Sequence, residues 1–237
     1  MTQHSDVLDR VPEPEPEKPP GPRRGPGRPW YRRTWVAPAA LISIAFIAYS
    51  LPPYLSFDPA QARIPGLRRD VPWHFALLEA HILFGTVALA TVPFQIWPRL
   101  RVRRPALHRT IGRVYVFGGV IPSGILALFI VPFSAGPPGN AIAALLWLGC
   151  TVTGFVMARR RNWVEHRRWM IFSFALCMQI VWGRVILLTL RVVPGYDMIS
   201  MPLVLETATW IGFVINLTIA YWWLERTKTR PLATRKV

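Results

Sequence analysis

Apolar residues run along this chain in six blocks, at about 35 to 54, 74 to 98, 109 to 133, 139 to 159, 167 to 191 and 202 to 224, separated by short polar connections. Each block is close to the ~20 residues that carry a helix across ~30 Å of hydrocarbon. The pattern therefore predicts an all-α, polytopic membrane protein with six transmembrane helices. The stretch from His166 to Arg191 shows the logic best. At ~100° per residue, His166, Ser173, Cys177, Arg184 and Arg191 share one narrow stripe, and the other faces are almost entirely apolar. Such a helix turns its stripe to protein or trapped water and its remaining surface to lipid.

The connections set the topology. Residues 1–29 are rich in Pro, Gly and charge and have no apolar run, which predicts a disordered tail without the apolar core of a secretory signal. The tail, the second and fourth connections and the C-terminal segment carry most of the arginines, whereas the third connection, SAGPPGN, has no charge. An excess of Arg and Lys marks cytoplasmic loops. The expected organisation is a cytoplasmic tail (1–29), a six-helix membrane domain (30–225) and a basic cytoplasmic tail (226–237), with both termini on one side. Trp30, Trp35, Trp97, Trp163, Trp169, Trp222 and Trp223 fall near the same set of boundaries, and Trp73 near the opposite one, as interfacial belts require.

Composition adds one constraint. The net charge is +16, yet only 17% of the 237 residues are charged and 52% are hydrophobic. A basic balance is also the footprint of nucleic-acid binding, but here the arginines sit at the ends of apolar runs, which points to the lipid bilayer and away from nucleic acid. Cys150 and Cys177 fall mid-span and read as small buried hydrophobes. Asn216-Leu217-Thr218 has a glycosylation pattern but lies inside the last block, out of reach of a modifying enzyme.

RRPALHRTIGRVYV after the second block and RNWVEHRRWMIFSF after the fourth both place His-Arg where a new helix begins. This weak repeat pairs blocks two and three with blocks four and five, and predicts a four-helix core (spans two to five) with the first and last spans outside it. His108 and His166 then stand at matching depths. They can be two axial ligands of one b-type haem, with Arg109 and Arg167 meeting the propionates. They can equally hold, with those arginines, an anionic headgroup or substrate at helix N-termini, or be plain boundary residues. Tyr115, seven residues after His108, shares its face and can bond either a bound group or a neighbouring helix.

A second polar set lies nearer the other boundary. His81, Arg184, Glu206 and Glu79 fall at similar depths, and an intramembrane arginine is disfavoured by ~2.5–3.5 kcal/mol, so a partner is expected. Glu206 or Glu79 is the predicted one, with His81 nearby. The alternatives are an ion pair that fixes helix rotation and a polar pocket for a quinone, an ion or a small substrate. No metalloprotease or phosphate-loop signature occurs.

At HRTIGRVY (His108 to Tyr115) and HRRWM (His166 to Met170) the chain resembles domain-of-unknown-function family 2306, and the resemblance extends from about His74 to Arg191, including HILFGTVALATVPFQ. It implies a multi-pass bacterial inner-membrane protein and brings no reaction with it. The resulting expectation is a redox-linked protein with one haem b near the cytoplasmic face. The rivals are a cofactor-free binding or transport protein for an anionic lipid or small substrate, and an accessory subunit of a membrane complex.

Overall fold

A computed structural model describes residues 36–63, 67–68, 70–134, 136–190, 192 and 200–228. The chain divides into two units, Met1–Arg33 and Thr34–Val237, and all described residues belong to the second. The expected disordered tail, Trp30, Trp35, Arg191 and the end of the basic C-terminal segment lie outside the described residues.

The described elements are helical: α1 (Val36–Ser50), α2 (Pro72–Ile96), the short α3 (Pro98–Arg103), α4 (Pro105–Tyr115), α5 (Ile121–Ile130), α6 (Pro137–Arg159), α7 (Trp163–Met178), α8 (Ile180–Leu190) and α9 (Met201–Thr227). Prolines open α2, α3, α4 and α6, where a missing N–H leaves no hydrogen bond unmade. Between α6 and α7, Arg161 takes φ 59°, and the Asn162 side chain accepts from the Glu165 N–H to cap α7. A single turn of π-helix, Val116–Val120, joins α4 to α5 just ahead of Pro122.

Among the described residues, five helical segments are long and apolar enough to cross a membrane: Pro72–Ile96, Pro105–Phe133, Pro137–Arg159, Trp163–Leu190 and Met201–Thr227. The first of the six expected blocks differs. Its described helix, α1, has 15 residues, about 22 Å at 1.5 Å per residue, and passes into a 3-10 turn at Pro52–Tyr54.

The interior is built chiefly from spans two to five, but the last span shares in it: Phe213 of α9 packs with Ala143 and Cys150 of α6 and Leu176 of α7. Ala88, Leu89 and Val92 of α2 pack with Tyr115, Val116 and Val120 of the third span and with Met170 and Cys177 of α7, while α1 lies against α2 and α9 against α6, α7 and α8. Gly119 allows the closest approach, since a Cβ there would stand 2.9 Å from the Ala88 backbone. Leu41, Phe129, Leu145 and Leu203 are exposed, the apolar outer surface that a bilayer covers. Within the core, the Tyr115 hydroxyl lies 2.6 Å from Ser173 Oγ, which lies 2.6 Å from Thr151 Oγ1. These three residues are completely buried and tie spans three, four and five together.

Candidate functional site

The middle of the fifth span is where the backbone departs from regular geometry. α7 ends at Met178 and α8 begins at Ile180, because the Gln179 N–H bonds Leu176 O, three residues back, instead of Ala175 O. The freed Ala175 carbonyl accepts from Asn216 Nδ2 of α9 at 2.9 Å, and Trp182 Nε1 donates to Asn216 Oδ1 at 3.0 Å. A broken helix within a membrane persists only where neighbours satisfy its backbone. Asn216 does so, and Gly212 lets α9 come close enough, with room for a Cβ only 3.1 Å from Gln179 O.

The break borders a cavity of about 360 Å³ between the spans, at the end of the bundle away from the arginine-rich connections. The walls are apolar, from Phe46, Leu78, Leu89 and Leu187 among others. Against them stand polar groups. Ser50 Oγ, Tyr54 OH and Gln179 Oε1 are buried without a hydrogen-bond partner, and all three residues line the cavity. Tyr54 is only 1% exposed, so its hydroxyl is held among the helices, close to the Arg63 backbone N–H and within range of the Arg63 and Arg184 charges but without a well-formed hydrogen bond. His81 Nδ1 lies 2.8 Å from Ser123 O. A carbonyl only accepts, so Nδ1 carries the hydrogen, and the neutral ring keeps its lone pair on Nε2. His74 is set the other way: its Nδ1 accepts from the Arg68 N–H at 3.2 Å. Buried polar groups are nearly always bonded, and three orphans on one cavity mark a place built for something to enter.

The structure brings together two of the four residues expected here. His81 and Arg184 both line the cavity, and Arg184 lies within electrostatic range of Tyr54. The expected ion pair is not formed. Among the described residues the ion pairs are Arg68–Asp70, Arg168–Glu165 and Lys228–Glu225. Glu206 instead accepts from the Gly139 N–H at 2.8 Å and from Trp210 Nε1 at 2.6 Å. It caps α6 because Pro137 and Pro138 leave Gly139 as the first donor of that helix. Glu79 is buried with Oε1 unpartnered and is not among the cavity-lining residues, as its position almost opposite His81 on α2 dictates.

At the arginine-rich end, His108, His166 and Arg101 lie within electrostatic range of one another. His166 Nδ1 lies 2.8 Å from Gly154 O, and His108 Nδ1 is buried without a partner. Arg101, on α3, is half-buried, and burial lowers the pKa of its guanidinium; sequence reasoning had used it only for topology. The other expected members of this set sit elsewhere. Arg167 donates to Thr227 Oγ1 at 2.6 Å and ties α7 to α9. Arg109 is exposed. The Tyr115 hydroxyl is turned to Ser173 in the core, the neighbouring-helix contact of the two alternatives, and not toward the histidines.

Ser50, Tyr54 and Gln179 were missed in the sequence. Asn216 was the available signal, because an amide in the middle of a span must find partners.

Comparison with known proteins gives one match. A family model described as a predicted membrane protein, DUF2306, covers residues 78–224, from the second turn of α2 to near the end of α9. No curated protein matches the chain, and no solved structure does.

Proposed function

The chain belongs to the DUF2306 family of predicted membrane proteins, and within it we propose a ligand-binding protein that holds a small amphiphile in the cavity beside the broken fifth span. The observation that carries this reading is the gathering of three unpartnered buried polar groups, Ser50, Tyr54 and Gln179, on one cavity. The volume falls within the ~300–1,000 Å³ of small-molecule sites, and mostly apolar walls with a few convergent polar groups are their usual lining. Discontinuous helices at mid-membrane provide such sites in transporters. In this reading the arginine-rich end faces the cytoplasm of a bacterium, both termini lie there, and the cavity sits in the outer half of the inner membrane.

The test uses protein in nanodiscs of zwitterionic lipid, with empty nanodiscs subtracted, and radiolabelled ten-carbon amphiphiles. Gly183 lines the cavity, and a Cβ there meets open space, so Gly183→Leu projects a side chain toward the site from a position that tolerates its first carbon. Saturable binding by the native protein that Gly183→Leu removes, at unchanged melting temperature, is the expected result. No saturable binding of any head type, or binding indifferent to Gly183→Leu, refutes the reading.

A second reading concerns the arginine-rich end: one b-type haem on His108 and His166. It is favoured by the bond from His166 Nδ1–H to Gly154 O, which leaves Nε2 free in the manner of a metal-ligating imidazole. His108 and Arg101 lie within electrostatic range. Arg101 replaces Arg167 as the candidate propionate partner. A Soret band with sharp reduced α and β bands, lost in His108→Ala and His166→Ala, is expected of this reading; a clean spectrum from protein made with ample haem removes it.

A further inference from the structure

The charge of the cavity says more about its occupant than its volume does. Its lining includes one guanidinium, Arg184, and no carboxylate. Among the described residues Arg184 has neither an ion pair nor a hydrogen bond, and the carboxylate expected to neutralise it, Glu206, commits Oε1 to the Gly139 N–H and Trp210, keeps Oε2 buried without a partner and does not line the cavity. An arginine at this depth is costly without a counter-charge, and nothing in the lining supplies one. The free polar groups beside it include hydroxyls, Tyr54 OH and Ser50 Oγ, which can donate hydrogen bonds to an acceptor.

Building on the proposed binding function, we infer that the occupant is a monoanionic amphiphile, a carboxylate on a short alkyl chain, with its head between Arg184 and the Tyr54 hydroxyl. The planar fork of a guanidinium matches a carboxylate bidentately, and a hydroxyl donor completes the acceptor's shell. Arg63 also lies within range of Tyr54 but is exposed, donates to the Tyr49 carbonyl and is outside the lining, so inside the cavity one positive charge balances one negative charge, and a phosphate monoester would leave excess charge in a low-dielectric site. The apolar walls formed by Phe46, Leu78, Leu89 and Leu187 take the chain.

The experiment compares decanoate, decanol and decyl phosphate, which share a tail and differ in head, on the same nanodisc-embedded protein. Decanoate is expected to bind saturably and at least about tenfold more tightly than decanol, the scale of a charge-assisted hydrogen bond. Arg184→Gln should remove that preference, Arg184→Lys should restore part of it, and Tyr54→Phe should weaken decanoate more than decanol. Decanol or decyl phosphate binding as tightly as decanoate overturns the inference while leaving the cavity as a binding site. A decanoate preference unchanged in a folded Arg184→Gln overturns it as well. Saturable binding of none of the three overturns the inference together with the proposed function. The head-group comparison on the native protein decides the matter even where a variant fails to fold.

Discussion

Removing the Asn216 amide should weaken the bundle by an amount that its two hydrogen bonds define. In Asn216→Leu, the Ala175 carbonyl and the Trp182 indole N–H both lose their partner. Interhelical side-chain hydrogen bonds in membranes average ~0.6 kcal/mol with a maximum near ~1.7, because the separated helices find other partners. The Ala175 carbonyl is a harder case, since the break at Gln179 has already removed its normal donor, and an orphaned buried acceptor costs about 1–3 kcal/mol. Together these set the expected loss at about 2–4 kcal/mol. The assay is reversible unfolding of the detergent-solubilised protein by a denaturing detergent, followed by far-ultraviolet circular dichroism. The control is Thr218→Val, which removes only an exposed hydroxyl bonded to its own helix at Val214 O. An Asn216→Leu variant within about 0.5 kcal/mol of that control, the usual scale of a surface substitution, would refute the account of the broken span. The alternative route, closing the break by returning the Gln179 N–H to Ala175 O, would turn α8 about its axis, and the decanoate preference that depends on Arg184 should then vanish.

Gly119→Ala puts a Cβ against the Ala88 backbone and should destabilise by ~1–3 kcal/mol, whereas Gly149→Ala meets open space and should be neutral or stabilising by up to ~1 kcal/mol; equal effects in the same unfolding assay would contradict the close packing of α2 on the third span. Glu206→Gln keeps both hydrogen bonds and should lose only the ~0.3–2 kcal/mol of a charge at a helix N-terminus, Glu206→Leu should lose more, and a double-mutant cycle with Arg184→Leu should show no coupling; a coupling of ~1 kcal/mol or more would restore the ion pair. Asp70 is held to a pKa of about 2 by the bidentate Arg68 guanidinium beside it. A carboxyl depressed on folding stabilises its loop above the ordinary carboxylate range, and that contribution fades as pH falls from about 4 toward 2. Carboxyl carbon NMR should place the Asp70 midpoint near 2, and Arg68→Ala should return it toward the ordinary value; a midpoint that ignores Arg68 refutes the pairing.

Much of the architecture was legible because lipid imposes a one-dimensional rule: a spanning segment must satisfy its own backbone and show an apolar surface, so length and composition identify it. The His108 and His166 repeat pointed to the four-helix core, and Tyr115 and Ser173, each seven residues beyond its histidine, meet inside it. Of the stripe on the fifth span, Ser173 and Cys177 are buried and Arg184 lines the cavity, although the helix that carries it is interrupted at Gln179 and Arg191 lies outside the described residues. The shortness of α1 was harder to see, since the apolar run continues through Pro52, Pro53 and Tyr54, and composition does not register where prolines convert helix to a tight turn.

Sequence alone thus determined the class, the membrane environment and which faces turn inward, because each follows from hydrophobic periodicity within a single segment. Partner choice was decided only by tertiary structure. Arg184 and Glu206 match in charge and depth, yet Glu206 takes the α6 N-terminus, because the packing of α9 on α6 places the Gly139 N–H 2.8 Å from its carboxylate, while Trp210, one turn along the same helix, adds a second donor. The break at Gln179 and the cavity beside it likewise depend on Asn216, more than thirty residues away. A hydrogen bond is a short-range, directional contact, and no pattern along one helix records what another brings within reach of it.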